Sequence, residues 1–226
     1  MPGSAEERRT PRARGFRRLF GIDRSGPGPV QTRKGEPLRP WTLPNLVGYL
    51  RIAAIPVFLV LAFDSGDGRS AAAGALYLFI TAGDYVDGFI ARATGQYSRL
   101  GALMDPAIDR LAAVAGAAVC WHFELLPRWA LVVLVVRELA TVALARLALR
   151  RGLDLDISWV GRFATAATFG GLFLTLVVDS PATETLFFAG LALGVYATVL
   201  YALSGMRALG GPGGDSTIPG KRSTST

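Results

Sequence analysis

The chain has 226 residues, 51% of them hydrophobic, and a formal net charge of +7. The apolar residues fall into blocks of about 20, the length that crosses a bilayer, and this distribution excludes an ordinary soluble domain. A single cysteine, Cys120, excludes an internal disulfide framework and reads as a small core residue.

Residues 1–41 come first and carry Arg8, Arg9, Arg12, Arg14, Arg17, Arg18, Arg24, Arg33, Lys34 and Arg39 against four acids. A basic run can address nucleic acid, but one that precedes a membrane domain addresses anionic lipid, so no nucleic-acid partner is expected. The piece RARGFRRLFGI interleaves arginine with Phe16, Leu19, Phe20 and Ile22, as in an amphipathic helix lying on a membrane surface. A solvated disordered segment is the alternative. No secretory signal is expected, because about 40 polar residues precede the first apolar block and that block is too long.

Six apolar blocks follow, at about 43–63, 70–91, 102–122, 129–149, 159–178 and 183–206. The predicted fold is an all-α integral membrane protein of six transmembrane helices, in one domain over 42–209. Residues 210–226 are rich in Gly, Pro and Ser and are expected to be a disordered cytoplasmic tail. An even number of spans puts both termini on one side. That side carries the basic N-terminal segment with Arg92, Arg99, Arg146, Arg150, Arg151, Arg162, Arg207, Lys221 and Arg222, whereas the opposite loops carry Arg69 and Arg128. The positive-inside rule therefore predicts cytoplasmic termini in a multi-pass protein of the cell membrane. Trp41, Trp121, Trp129 and Trp159 fall at predicted span ends, as an aromatic belt does. Gly190 and Gly194 form a GxxxG pattern in the last block, which suits helix packing within the chain or a homodimer contact.

The stretch GDYVDGFIARATGQYSRLGALMDPAIDR (83–110) carries four aspartates at the facing ends of the second and third blocks. Asp84 and Asp87 are three apart and Asp105 and Asp109 four apart, so each pair shares a helix face. Two antiparallel helices joined by a short loop bring the pairs together near the cytoplasmic membrane boundary. Four carboxylates in a partly dry site repel strongly, and divalent cations remove the conflict; hard oxygen ligands in this number suit two ions of Mg²⁺ or Mn²⁺. Small residues at Gly88, Ala91 and Gly101 let a ligand or a helix approach the backbone, and Arg92 suits a phosphate. Metal, arginine and carboxylates together form a phosphoryl-transfer arrangement. Helix-end acids that are merely solvated are the bland alternative, disfavoured for four acids on two facing helices.

The pattern D-x2-D-G-x2-A-R-x8-G-x3-D-x3-D, met by Asp84, Asp87, Gly88, Ala91, Arg92, Gly101, Asp105 and Asp109, resembles the signature of the CDP-alcohol phosphatidyltransferases. The resemblance extends over 42–206. It implies an enzyme that moves the phosphatidyl group of CDP-diacylglycerol to an alcohol, releasing CMP. By position it implies metal ligation by Asp84, Asp87, Asp105 and Asp109, with Asp109 also taking the acceptor hydroxyl's proton. It implies CDP-lipid contacts at Gly88, Ala91, Arg92 and Gly101.

Three further segments are similar to those of the phosphatidylglycerophosphate synthases in that family. They are TLPNLVGYLRIAAIP (42–56), with Arg51; VVRELA (135–140), with Arg137 and Glu138; and ISWVGRFATA (157–166), where Arg162 stands in place of the usual Lys and Thr165 fits. Arg51, Arg137 and Arg162 suit an acceptor that bears a phosphate, and the resemblance to those synthases implies glycerol 3-phosphate as the acceptor. Phosphatidylglycerol, the acceptor of the related cardiolipin synthases, and inositol phosphate, the acceptor of phosphatidylinositol-phosphate synthases, carry phosphate too, so the signature admits all three. Snorkelling to the interface is the plain alternative for Arg51 and Arg137, but both lie several residues inside their blocks. Arg110 reads as a partner of Asp109, and His122 as an interfacial residue at the far end of its span. A rival of another class, a cation- or proton-coupled transporter, would show inverted repeats and broken helices, and neither is visible.

Overall fold

The computed structural model describes residues 37–150 and 159–210, and all its regular elements there are helices. The expected surface helix at 12–22 and tail at 210–226 lie outside these residues, apart from Gly210 itself. The helices are α1 (Leu43–Asp64), α2 (Ala71–Thr94), α3 (Arg99–His122), α4 (Arg128–Arg150), α5 (Trp159–Thr175) and α6 (Pro181–Gly210). Each coincides with one of the six apolar blocks.

Local chemistry sets the starts. Thr42, Ser70 and Ser98 are extended N-caps whose hydroxyls accept from Asn45 N, Ala73 N and Gly101 N, meeting N–H groups that the first turn leaves unpaired. Gly95 ends α2 in the left-handed region, at φ 69°, where a side chain would be strained. The turn that follows is short, so α2 and α3 run antiparallel.

Helix α1 packs on α2 and α3, α3 on α4, and α4 on α6, while α5 and α6 share the most extensive contact. At Gly190 an added Cβ would lie 2.4 Å from the backbone nitrogen of Thr168, so α6 crosses α5 at a distance only glycine permits. The GxxxG pattern is thus used inside the chain. Gly194, its second member, faces the guanidinium of Arg137.

The interior is built largely of small side chains, including Ala54, Ala62, Ala73, Ala112, Ala113, Ala115, Ala117 and Ala130, around Phe58, Tyr77, Ile80, Leu131, Leu172 and Phe187. Large apolar side chains such as Leu46, Leu50, Val57, Val60, Phe63, Val136, Leu139, Phe163, Val199 and Leu200 point outward. Hydroxyls inside the bundle bond back to their own helices: Thr168 to Ala164 O at 2.8 Å and Thr175 to Gly171 O at 2.9 Å. Small interior residues and hydroxyls bonded back to their own helix are the pattern found where helices pack in a membrane. Among the described residues, two helices are long and apolar enough to cross a membrane, α1 and residues 181–205 of α6. The others are interrupted by the charges that build the site, or, like α5 with 17 residues, are short.

Cys120 is buried in the core. His122 sits at the end of α3 remote from the aspartates, edge-on to Phe63 and Phe123. Trp41, Trp121 and Trp129 are exposed.

Candidate active site

The last turns of α2 carry Asp84 and Asp87, and the first half of α3 carries Asp105 and Asp109. Asp84, Asp87 and Asp105 each present an oxygen, and these oxygens lie within 4.8 Å of one another. Asp87 is buried, the other two half-buried. An all-oxygen set of three carboxylates fits a hard divalent cation, because partly buried like charges this close repel unless one is supplied.

Asp109 stands outside this triad. Its Oδ1 accepts from Arg51 Nη2 at 3.2 Å, while Arg51 Nη1 donates to Asp87 Oδ2 at 3.0 Å and Arg51 Nε to the carbonyl of Ile80 at 2.8 Å. Arg51 is 0% exposed. The arginine expected beside an acceptor phosphate is therefore spent on two of the carboxylates. Its stem crosses α2 at Gly83, where an added Cβ would lie 2.5 Å from Arg51 Cδ.

The positions expected to hold the CDP-lipid follow the triad. Gly88, Ala91 and Arg92 continue α2 beyond Asp87; a Cβ on Gly88 would come 3.2 Å from Arg92 Nη1, and Ala91 is buried. Gly101 has a packing reason to be small, since its Cβ would lie 2.8 Å from Asn45 Oδ1. That buried asparagine accepts from Ser98 Oγ at 2.7 Å and donates to the carbonyls of Arg39 and Pro40. It ties the start of α1 to the turn between α2 and α3. Its signal in the sequence is an amide side chain at the head of an apolar block.

A second polar cluster lies between α4, α5 and α6. Arg137 pairs with Glu138 and reaches Thr165 Oγ1 at 3.5 Å. Arg162, half-buried, is three residues before Thr165 and so shares its face of α5. Arg110 donates from Nη1 to the carbonyl of Pro106 at 3.1 Å, and its Nε lies 4.0 Å from Glu138 Oε2. Glu138 is thus a buried acid between two arginines; its signal is a carboxylate in the middle of an apolar block. The structure brings together Asp84, Asp87 and Asp105, joins Asp87 to Asp109 through Arg51, and places Arg137 in a separate cluster.

A sequence model of the CDP-alcohol phosphatidyltransferase family matches residues 41–200. The chain belongs to this family. The matched region holds the whole aspartate site and the Arg137 cluster. Two proteins of Mycobacterium tuberculosis are similar to it. One, provisionally named cardiolipin synthase, is 37% identical over 131 residues, which are 57% of this chain and 60% of that protein. The other, provisionally named phosphatidylglycerophosphate synthase, is 33% identical over 179 residues, 75% of this chain and 84% of that protein. A CDP-diacylglycerol–glycerol-3-phosphate 3-phosphatidyltransferase of Bacillus subtilis is 30% identical over 168 residues, 69% of this chain and 87% of that protein. The chain thus spans 60% of the length of the first of these relatives. Divalent cations are typical of the family, and among the described residues the triad Asp84, Asp87 and Asp105 could hold one.

Proposed function

We propose that this chain transfers the phosphatidyl group of CDP-diacylglycerol to glycerol 3-phosphate, forming phosphatidylglycerophosphate and CMP. The observation that carries the reading is the convergence of Asp84, Asp87 and Asp105 within 4.8 Å, with Asp109 one helical turn along α3. The relatives named for glycerol 3-phosphate transfer align over 75% and 69% of this chain, against 57% for the cardiolipin synthase.

In this reading the acceptor's 1-hydroxyl oxygen attacks the β-phosphorus of the CDP-lipid. The new P–O bond forms as the bond to CMP breaks, and Asp109 takes the hydroxyl proton. Asp84, Asp87 and Asp105 would hold two divalent cations together with Asp109. Those cations, when bound, supply charge neutralisation for the diphosphate. Gly88, Ala91, Arg92 and Gly101 border the CDP-lipid. Arg137 and Arg162 hold the acceptor's phosphate, where a forked, always-charged donor matches a phosphate's oxygens.

The six helices cross the cell membrane with both termini in the cytoplasm, and the site opens on that face. Support comes from the outward-facing Leu, Val and Phe side chains, the small interior and the excess of basic residues on the site's side. The basic segment 1–41 adds affinity for anionic lipid.

A second reading, cardiolipin synthesis with phosphatidylglycerol as acceptor, draws on the higher identity of the cardiolipin synthase relative, 37%. An acceptor panel separates the two. Purified protein receives labelled CDP-diacylglycerol with glycerol 3-phosphate, phosphatidylglycerol, inositol or inositol phosphate, and the lipid product is identified. Phosphatidylglycerophosphate is expected, lost with EDTA and restored by Mg²⁺ or Mn²⁺. Cardiolipin alone overturns the acceptor assignment, and activity that survives chelation overturns the metal assignment.

A further inference from the structure

Arg51 is sealed inside the bundle at 0% exposure. A guanidinium stays charged there only if protein acceptors replace water. It has them from two other helices: Ile80 O and Asp87 Oδ2 on α2, and Asp109 Oδ1 on α3. The two carboxylates play different parts. Asp87 belongs to the oxygen triad, and Asp109 stands outside it. One oxygen of each is committed to Arg51, which leaves each carboxylate a second oxygen. An exposure of zero also leaves no surface for an acceptor phosphate to touch.

The crossing over α2 is equally specific. A Cβ at position 83 would lie 2.5 Å from Arg51 Cδ and 2.9 Å from Nε. The clash falls on the middle of a stem whose far end is tied to two carboxylates, so the side chain cannot swing away cheaply. Lysine cannot substitute: its single ammonium lacks the fork that reaches two acids on different helices.

We propose that Arg51 is a positioning residue that fixes the Asp109 carboxylate relative to Asp87, and that Gly83 is the second part of this device. The inference rests on the reading of the aspartates given above. Arg51 makes no contact with substrate. Its positive charge also opposes cation binding at Asp87, so its removal costs turnover without costing affinity for the cation that the triad of Asp84, Asp87 and Asp105 would hold.

The test uses the full chain in nanodiscs, as wild type, Arg51→Met, Arg51→Lys, Gly83→Ala and the double variant. Mn²⁺ affinity is read by electron paramagnetic resonance without CDP-lipid; kcat and KM are read for the acceptor that the wild type uses. In Arg51→Met, kcat falls about 100-fold, the cost of a misplaced group, while the acceptor KM moves less than about threefold. Mn²⁺ binds that variant at least as tightly as the wild type. Arg51→Lys keeps the charge yet stays at least about tenfold below wild type in kcat. Gly83→Ala lowers kcat about tenfold or more, but less than about twofold further in the Arg51→Met background, where the untethered Met swings aside.

A raised acceptor KM with kcat kept would make Arg51 a substrate contact and overturn the inference. Loss of Mn²⁺ binding together with activity would make it scaffold, and a harmless Gly83→Ala would remove the device. If Arg51→Met does not fold, the Lys and Gly83→Ala variants decide alone, since both leave the charges in place. A wild type that neither binds Mn²⁺ nor transfers overturns the underlying reading, and this inference with it.

Discussion

Arg51 and Arg137 both project from apolar helices into carboxylates, and they are held in opposite ways. Arg51 gives three nitrogens to acceptors on two other helices. Arg137 is bound to the acid beside it on its own helix and meets Thr165 only at 3.5 Å, and its Nε has no hydrogen-bond partner. Acids from two helices saturate a guanidinium and cross-link the bundle. An acid adjacent in sequence orients a guanidinium but leaves donors over, and an arriving phosphate gains most from those. One arginine therefore organises the protein's own charges and the other is suited to a ligand's.

The largest expected effect lies at the acid that Arg51 holds. Asp109→Asn removes the proton acceptor but keeps an oxygen for Arg51, so the fold survives. Turnover should drop about 10²–10⁴-fold, the usual range for a positioned base, while CDP-diacylglycerol binding by calorimetry remains measurable. Near-normal turnover would refute the assigned base.

Arg137→Ala tests the other arm. Removing a charged donor to phosphate should raise the acceptor KM about 10–100-fold, with kcat less affected. Arg51 variants should show the reverse split. If both arginines moved the same kinetic parameter, the distinction between them would collapse. Glu138→Gln should act in the same direction as Arg137→Ala but more weakly, raising the acceptor KM about 3–10-fold. The amide still accepts from Arg137, but a neutral acceptor binds about half as strongly as a charged one. An unchanged KM would mean that Glu138 serves Arg110 alone.

The helices were legible because their signal is local. Apolar blocks are read along the chain, and the block at 70–91 became Ala71–Thr94, with the cap Ser70 and the stop Gly95 supplied by the structure. The convergence of Asp84, Asp87 and Asp105 was legible too, since spacings of three and four put acids on one face and a short turn fixes the antiparallel pairing. The partner of each arginine was not legible. Sequence proximity sets Arg110 beside Asp109, and the packing of α4 on α3 adds Glu138, 4.0 Å from its Nε, which proximity does not announce. The direction of Arg51 depends on a gap at Gly83, one helix away, and nothing in TLPNLVGYLRIAAIP announces that gap. Gly101 illustrates the same limit: its spacing points to a ligand, and nothing in the sequence announces that Asn45 packs against it as well. Periodicity shows which side of a helix faces inward, but not which atom of the next helix it meets.

The smallest effect on chemistry is expected at a contact that touches none of the carboxylates, and it isolates packing from function. Gly190 meets the backbone of α5 at Thr168, and a backbone cannot rotate aside as a side chain can. Gly190→Ala should therefore push α6 from α5 and destabilise the protein by about 1–3 kcal/mol, as overpacking does. A lower melting temperature in detergent would show this, with kcat per folded molecule within about twofold of wild type, because the clash falls on the backbone at Thr168 and on no aspartate or arginine. Gly83→Ala is the same chemical change on α2, but its clash falls on Arg51, so its cost should appear in kcat. If Gly190→Ala also lowered kcat tenfold, the α5–α6 contact would be part of the Arg137 cluster's geometry, which Gly194 borders on the same helix.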